Sequence, residues 1–355
     1  MPPPTPRRSG VHSNGVGARD VARADANGLT RPPEVESIDL RTHDGWSLRT
    51  DVHAPPGDAV GVAVLAHALM ARRTEFSRPR PRGVAALLVE RGWRVVAFDF
   101  RGHGDSRPPP LRERTSERGP GGQRQGYDDF VAGDLAAVCA FAREQSSGTV
   151  PVVVVGHSLG GHAALVAHAT GVAAVDGVAG IASAPPFLRD HEPSRARWLV
   201  KRATFASMLA VARRVGRFPA RALRLGSDDE TLESCEDFER FARTGRWTTR
   251  DGRVDYLEAL AGVRIPVLEV VSAADRFECV PVCGERFVAS CRGPREVMHV
   301  TRCDGGLPPP SHMGLVTSGH VGDVWDGIEK WMRRVPVSTT GVAPRPSPSG
   351  RSSLG

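Results

Sequence analysis

The stretch that decides the fold of this chain covers residues 151–162 and reads PVVVVGHSLGGH. Four consecutive valines predict a strand that is buried on both faces, as the central strands of a parallel sheet are. The pattern G-x-S-x-G follows at once, and residues 163–167 continue as a helix. In this strand–turn–helix context the glycines permit a tight turn that exposes the hydroxyl of Ser158 at the helix N-terminus. We therefore predict that Ser158 is a nucleophile rather than an idle serine in an ordinary turn.

Apolar strands alternate with helical segments on both sides of this stretch, from Glu34 onward. Residues 35–40 and 46–52 predict an antiparallel hairpin around the turn at Asp44-Gly45. Further strands are predicted at 60–65, 93–98, 175–182, 266–271 and 296–300, and helices at 82–91, 127–143, 280–288 and 321–332. Because parallel strands need crossover connections, this order predicts an α/β fold with a mostly parallel sheet of eight strands.

Composition and cysteine usage narrow the class of protein. The formal net charge is +7, but almost all cationic residues are arginine, and no basic stripe interleaved with aromatics indicates nucleic-acid binding. No apolar run is long enough to span a membrane, and the N-terminus lacks the apolar segment of a signal peptide. Six cysteines without a compact framework predict reduced thiols in the cytoplasm. Four of them match no familiar zinc spacing, so no metal is expected: Cys279, Cys283, Cys291 and Cys303.

Three segments depart from the alternating pattern. Residues 1–33 and 336–355 are rich in small and polar residues and in proline, so both are expected to be disordered. Residues 187–262 interrupt the sheet between its sixth and seventh strands, and we predict that they form a helical cap. The core would then comprise residues 34–186 and 263–335.

The predicted cap has two halves of opposite charge. Residues 195–224 hold nine basic residues and no acid, whereas residues 228–239 are acidic. One interpretation is a basic amphipathic lid that faces an anionic or lipid-like substrate. The other is a pair of cap helices whose opposite charges face each other. Both interpretations remain open at the level of sequence.

Three motifs resemble those of the α/β-hydrolase superfamily and occur in its order. Residues 64–70, VLAHALM, stand where the family carries His-Gly after its third strand, and residues 99–106, DFRGHGDS, resemble its D-x-R-G-x-G-x-S motif. Residues 156–161 match its nucleophile elbow. Within the superfamily the chain is most similar, over about residues 34–334, to predicted bacterial hydrolases of the serine-aminopeptidase and lysophospholipase-like kind. Ala68 departs from the pattern, because glycine is usual there.

The resemblance implies partners for Ser158. A serine hydroxyl needs a base that takes its proton, and the base needs an acid that fixes its tautomer. In this family the acid commonly follows the seventh strand, where Asp275 stands with Glu278 as the alternative. The base follows the last strand, and His312 in SHMGLV resembles the family's H-x-G-[LV] loop, with His320 as the rival. The chain order of serine, acid and histidine is the family's order.

Backbone N–H groups are expected to stabilise the oxyanion that forms on attack. Leu159, directly after the nucleophile, supplies one donor. The loop after His67 supplies the second, which is expected to be Leu69 N–H with Met70 N–H as the alternative. Five polar residues are predicted to shape the nearby loops without touching substrate: His67, His103, His157, Asp99 and Arg101.

The resemblance thus implies a serine hydrolase that cleaves an ester, thioester or amide of a small molecule through an acyl-enzyme intermediate, without a cofactor. Two other functions remain open. The same site could transfer the acyl group to an alcohol or amine, or the protein could be a non-catalytic ligand-binding member of the fold. The sequence does not name the substrate, because specificity depends on the shape of the cap and pocket.

Overall fold

The computed structural model describes residues 35–78, 83–110 and 124–338. The predicted disordered arm at residues 1–33 lies outside these ranges. So does the predicted tail at 336–355, apart from its first three residues.

An eight-stranded sheet lies at the centre of the described chain, with the order β1-β2-β4-β3-β5-β6-β9-β10. Its strands are β1 (Val35–Arg41), β2 (Ser47–His53), β3 (Gly61–Ala66), β4 (Trp93–Phe98), β5 (Val152–His157), β6 (Gly177–Ile181), β9 (Val267–Ser272) and β10 (Arg295–Val300). Strand β2 is antiparallel to β1 and β4, and the remaining pairs are parallel. The predicted hairpin and the mostly parallel eight-stranded sheet are therefore confirmed.

Burial varies across the sheet as the sequence pattern requires. Every residue of β3, β5 and β9 is buried, because helices cover both faces at the centre. The edge strand β1 alternates between exposed and half-buried residues. Uniform apolar runs therefore place their strands at the centre, and the carboxyl ends of those strands meet at one edge.

Helices flank the sheet, and three more lie between β6 and β9. They are α1 (Val84–Glu90), α2 (Tyr127–Asp129), α3 (Ala136–Ser146), α4 (Leu159–Ala169), α5 (Arg195–Val215), α6 (Leu232–Thr244), α7 (Tyr256–Leu260), α8 (Pro281–Val288), α9 (Gly314–Thr317) and α10 (Gly322–Met332). Short 3-10 turns lie at Arg73–Ser77, Arg189–His191 and Asp304–Gly306. No helix among the described residues is long and apolar enough to cross a membrane.

The helix predicted at 127–143 is not uniform. A π-helical stretch, Phe130–Leu135, separates α2 from α3. The widened turn presents Asp134 to Arg101, whose backbone N–H and Nε donate to its carboxylate at 2.8 and 2.7 Å. Single π-helical turns often occur near functional sites, and this one braces the loop that follows β4.

The insertion between β6 and β9 contains α5, α6 and α7 and a two-stranded antiparallel pair, β7 (Arg217–Phe218) and β8 (Glu230–Thr231). The two longer helices are capped as their sequences suggest. Ser194 and Thr231 accept backbone N–H bonds at the two N-termini, and Gly216 and Gly245 end the helices with positive φ. The assignment of this insertion as a cap remains a prediction.

An aromatic cluster joins the insertion to the helices beside the sheet. Tyr127 and His162 contribute from the core, and their hydroxyl and Nδ1 atoms lie 2.8 Å apart. Burial lowers the pKa of His162 to about 3, so its ring is neutral. The insertion side of this cluster consists of Phe187, Phe238, Phe241, Trp247 and Tyr256. The rings pack against one another, and two carboxylates border the cluster: the Tyr127 N–H donates to Asp237 at 3.0 Å and the Tyr256 hydroxyl donates to Asp128 at 2.7 Å.

Candidate active site

Ser158 lies between the carboxyl end of β5 and the first residue of α4, with φ 50° and ψ −111°. Non-glycine residues rarely adopt positive φ, and such strain is often found at functional sites. A Cβ atom on Gly156 would lie 2.3 Å from Gly161 N, and one on Gly160 would lie 2.1 Å from Ala66 O. Both glycines of the motif are therefore required by close backbone contacts, and the turn presents a partly exposed serine.

Asp275 and His312 lie next to each other at the carboxyl-terminal edge of the sheet, where Ser158 also lies. His312 Nδ1–H donates to Asp275 Oδ2 at 2.6 Å. Asp275 also accepts backbone N–H bonds from Phe277, Glu278 and Cys279. Burial raises the pKa of Asp275, but the hydrogen bond from His312 and these N–H groups outweigh it and lower the pKa. The ionised carboxylate fixes the proton of His312 on Nδ1, so Nε2 is available as a base.

His312 also lies next to the nucleophile elbow. Its ring centroid is 4.9 Å from that of His157, the residue directly before Ser158. Within the described residues, Ser158 Oγ makes no hydrogen bond to His312. Hydrogen bonds between a catalytic serine and its base often tighten only when substrate binds.

The two rival residues occupy different positions. The carboxylate of Glu278 is exposed and lies within 4.8 Å of the ligating atoms of Asp275 and His312. The backbone N–H of Glu278 donates to Asp275, and it is Asp275 that accepts the hydrogen bond from His312. His320 is exposed before α10, where its backbone N–H donates to Ser318 Oγ. The geometry therefore favours Asp275 and His312 over the alternatives.

The group of Asp275, Glu278 and His312 also has the donor types of a metal site. Two of its members already form the acid–base pair of the candidate active site. All six cysteines are free and buried, including the four whose spacing was considered for zinc.

The loop after β3 presents Leu69 N–H between two backbone donors that are already bonded. Ala68 N–H donates to Glu75 Oε1 at 3.1 Å, and Met70 N–H donates to Glu230 Oε2 at 3.1 Å. No acceptor within the described residues takes the Leu69 N–H. The contacts therefore favour Leu69 over Met70 as an oxyanion donor, alongside the N–H of Leu159 at the start of α4.

The departure at Ala68 has no steric consequence. The residue with positive φ in this loop is Met70, at 57°, whereas Ala68 is not in the left-handed region. His67 holds the base of the loop, because its Nδ1–H donates to Ala68 O at 2.8 Å and its Nε2 accepts from Phe100 N at 3.0 Å. Burial lowers the pKa of His67 to about 4, so the ring is neutral, as this pattern of one donor and one acceptor requires.

His103 differs from His67 in its charge. Its Nδ1–H donates to Arg101 O at 3.1 Å and its Nε2–H donates to Glu230 Oε2 at 3.2 Å. Burial lowers the pKa of His103, but the Glu230 carboxylate more than compensates and the pKa is raised. A buried imidazolium–carboxylate pair therefore connects the loop after β4 with β8 of the insertion.

Asp99 and Arg101 brace the loops beneath the site. Asp99 accepts from the backbone N–H groups of Arg73 and Asp105 at 2.7 and 2.9 Å and is also paired with the Arg73 side chain. Arg101 pairs with Asp134 and with Asp44. Both residues therefore contribute to loop structure, as the sequence analysis expected.

Three buried acids near the site were not identified from the sequence: Glu75, Asp228 and Glu230. Asp228 and Glu230 lie in the acidic half of the insertion, where the sequence pattern indicates their charge but not their contacts. Glu75 lies in a short 3-10 turn and carries no motif. Glu230 and Asp228 bond to Met70 and Gly104, which are 160 and 124 positions away, so no local pattern indicates these contacts. Glu75 bonds to Ala68, which is only 7 positions away.

The strand order, the strained elbow and the Asp–His pair together define the α/β-hydrolase class. The sequence matches the family described as "Serine aminopeptidase, S33" over residues 69–278, which is more than half of the chain. The chain therefore belongs to this family of the α/β-hydrolase superfamily. No curated protein sequence matches it.

Solved structures of low sequence identity share this fold. A soluble variant of monoglyceride lipase from Saccharomyces cerevisiae aligns with TM-score 0.56 and 17% identity, covering 89% of this chain and 100% of that one. The monoacylglycerol lipase of Paleococcus ferrophilus aligns with TM-score 0.52 and 16% identity, covering 81% and 99%. An esterase from Exiguobacterium antarcticum aligns with TM-score 0.51 and 16% identity, covering 84% and 100%. At these identities the likeness establishes the fold.

Proposed function

We propose that this protein is a serine hydrolase that cleaves a carboxylic ester, thioester or amide of a small molecule. The observation that carries the proposal is the 2.6 Å hydrogen bond from His312 Nδ1 to Asp275 Oδ2, located beside the strained turn of Ser158. Acyl transfer needs a nucleophile, a base and an acid that orients the base. Candidates for all three groups lie at the same edge of the sheet.

The first half of the reaction forms an acyl-enzyme. Ser158 Oγ attacks the carbonyl carbon while His312 Nε2 takes the hydroxyl proton. Asp275 remains ionised and stabilises the imidazolium that results. The backbone N–H groups of Leu159 and Leu69 donate to the oxyanion of the tetrahedral intermediate, and His312 then gives its proton to the leaving alcohol, thiol or amine.

The second half hydrolyses the acyl-enzyme. Water loses a proton to His312 Nε2 and attacks the acyl carbon, and the oxyanion again receives the same two N–H bonds. Collapse of this intermediate releases the carboxylic acid and returns the proton to Ser158 Oγ. Every proton in this cycle passes through one nitrogen, which is why the tautomer set by Asp275 matters.

Labelling with a fluorophosphonate, together with hydrolysis of p-nitrophenyl esters, tests the proposal. We expect the wild-type protein to be labelled once, at Ser158, and Ser158→Ala to lose both labelling and turnover while its thermal melting is unchanged. Ser37→Ala, on the exposed edge strand β1, is the control and should behave as wild type. Labelling or turnover that persists in Ser158→Ala would refute the proposal.

A further inference from the structure

One short segment of the insertion holds Met70 from two sides. We call residues 226–231, GSDDET, the clamp segment. Glu230 Oε2 accepts the Met70 N–H at 3.1 Å, and the Asp228 N–H donates to Met70 O at 3.0 Å. A Cβ atom on Gly226 would lie 2.3 Å from Met70 O, so the clamp segment is also in close steric contact with the loop.

Met70 needs such support because its φ of 57° is unfavourable for a residue with a long side chain. Strained residues of this kind persist only when their surroundings hold them in place. Leu69 stands between Ala68, which is bonded to Glu75, and Met70, which is bonded to Glu230. The direction of the Leu69 N–H is therefore fixed by the bonds that its two neighbours make.

The Glu230 side chain is fully buried, and both of its carboxylate oxygens accept hydrogen bonds. Its Oε2 accepts from Met70 N and from His103 Nε2, and its Oε1 accepts from Thr231 N at 3.0 Å. A buried carboxylate is costly unless its oxygens are bonded in this way. Asp228 adds a second connection, because its Oδ2 accepts from Gly104 N and from Arg72. The clamp segment thus contacts the loops after both β3 and β4.

We propose that Glu230 is a positioning residue for the oxyanion donor: acting through Met70, it directs the Leu69 N–H toward the carbonyl oxygen of the substrate. The inference rests on the proposed function, because it requires an oxyanion. It also means that the insertion contributes to the rate of the chemical step and not only to the choice of substrate.

The substitution Glu230→Gln tests this role. Glutamine is neutral and offers a single acceptor oxygen, so the bond to the Met70 N–H loses the strength that the carboxylate charge gives it, and Met70, His103 and Thr231 cannot all be satisfied. Because only transition-state contacts should weaken, we expect kcat for a p-nitrophenyl ester to fall about 10- to 100-fold while KM changes less than about 3-fold. The affinity for an alkylboronic acid, whose serine adduct mimics the tetrahedral intermediate, should fall by a factor similar to that of kcat.

Glu233→Gln is the matched control, since it makes the same chemical change three positions away, in the first turn of α6. The Glu233 side chain makes no hydrogen bond or ion pair with the residues that the structure describes. We expect this variant to keep kcat and boronic acid affinity within about 2-fold of wild type, as for most substitutions outside such networks.

Gly226→Ala provides a second test that changes no charge. The added methyl group would press on Met70 O, so we expect a loss of kcat and boronic acid affinity in the same direction as for Glu230→Gln. Gly57→Ala is its control, because a Cβ at Gly57 meets nothing within 4 Å. If Glu230→Gln does not fold, the Gly226 pair decides the question.

Two results would overturn the inference. In the first, Glu230→Gln and Gly226→Ala keep kcat and boronic acid affinity within about 2-fold of their controls. In the second, the variants lose ester binding as much as boronic acid binding, which indicates a structural role only. Fluorophosphonate labelling of wild type is judged separately, so a wild type that fails to label removes the proposed function itself, whereas a labelled wild type leaves the two results above to decide the role of Glu230.

Discussion

The carboxyl-terminal edge of the sheet and the insertion are held in place by different kinds of interaction. Ser158 and Asp275 follow β5 and β9, whose residues are all buried, so hydrophobic packing fixes the positions of these strand ends. The insertion reaches the same edge through buried charges instead. Glu230 pairs with His103, and Lys201, which is paired with Glu192 inside the insertion, donates to Glu278 O. The strands thus fix the proposed reacting groups, while ionic contacts fix the loops around them.

The insertion has a second ionic anchor, which contacts the loop that carries the acid. Lys201 Nζ, near the start of α5, donates to Glu278 O at 2.8 Å as well as to Glu192. Arg197 donates to Arg276 O and Phe277 O at 2.5 and 3.2 Å. The clamp segment holds the loop after β3, which carries the proposed oxyanion donor, and the N-terminal part of α5 holds the loop after Asp275. A region expected to select substrate therefore also supports two parts of the proposed machinery.

The largest effect should come from the edge of the sheet. His312→Ala should lower kcat by about 10³-fold or more, because loss of a triad member removes the base. His320→Ala is the matched control and should cost little, since His320 is exposed and lies outside the acid–base pair. Steady-state kinetics with p-nitrophenyl esters measures both, and the reverse pattern would show that the base is assigned to the wrong residue.

The next effect concerns the stability of the ionic anchor. Lys201→Met leaves the buried Glu192 carboxylate with Arg197 as its remaining basic partner and removes the bond to Glu278 O, so the free energy of unfolding should fall by about 2 kcal/mol. Lys330→Met is the natural control, because Lys330 is the only other lysine in the chain and is exposed on α10. Urea denaturation measures both changes. Equal stability of the two variants would contradict the view that buried charges hold the insertion.

A buried acid in the sheet allows a pH-dependent test of the difference between the sheet and the insertion. Glu269 in β9 accepts from Ser183 N at 2.7 Å and from Ser183 Oγ, and burial raises its pKa from 4.5 to about 7. Between these two values the unfolded chain is ionised while the folded protein keeps the proton, so this group lowers stability as pH rises.

Glu269→Gln removes that dependence. The free energy of unfolding of the variant relative to wild type should increase by about 1–3 kcal/mol between pH 4.5 and pH 8. Denaturation at several pH values gives this difference directly. A difference that is constant with pH would mean that Glu269 is ionised throughout this range in the folded protein.

The smallest effect is expected on the exposed face of α5. Arg213 is mostly exposed and lies 3.6 Å from Glu236 on α6, so its pairing contributes at most about 1 kcal/mol. Reversing Arg213 and Arg214 to glutamate should change kcat/KM by less than about 2-fold, for a carboxylate-bearing ester and for a neutral one, because exposed charges are screened. Assays at low and high salt compare the two esters. A loss confined to the anionic ester at low salt would favour the basic lid over paired helices.

The sequence alone determined the features that depend on local pattern. The strand predicted at residues 93–98 coincides with β4, because a short run rich in apolar and β-branched residues that follows a glycine favours a buried strand. The glycines around Ser158 predicted a tight turn, and close backbone contacts of 2.1–2.3 Å for any added Cβ give the reason. The order of strands and helices was enough to predict a mostly parallel sheet of eight strands.

Tertiary structure decided which distant residues meet. Met70 and Glu230 are 160 positions apart, and neither the loop nor the acidic stretch contains a signal for the other. The same carboxylate raises the pKa of His103, whereas burial lowers the pKa of His67 to about 4. Side-chain partners and pKa values depend on burial and on contacts across the whole chain, and local periodicity carries no information about them.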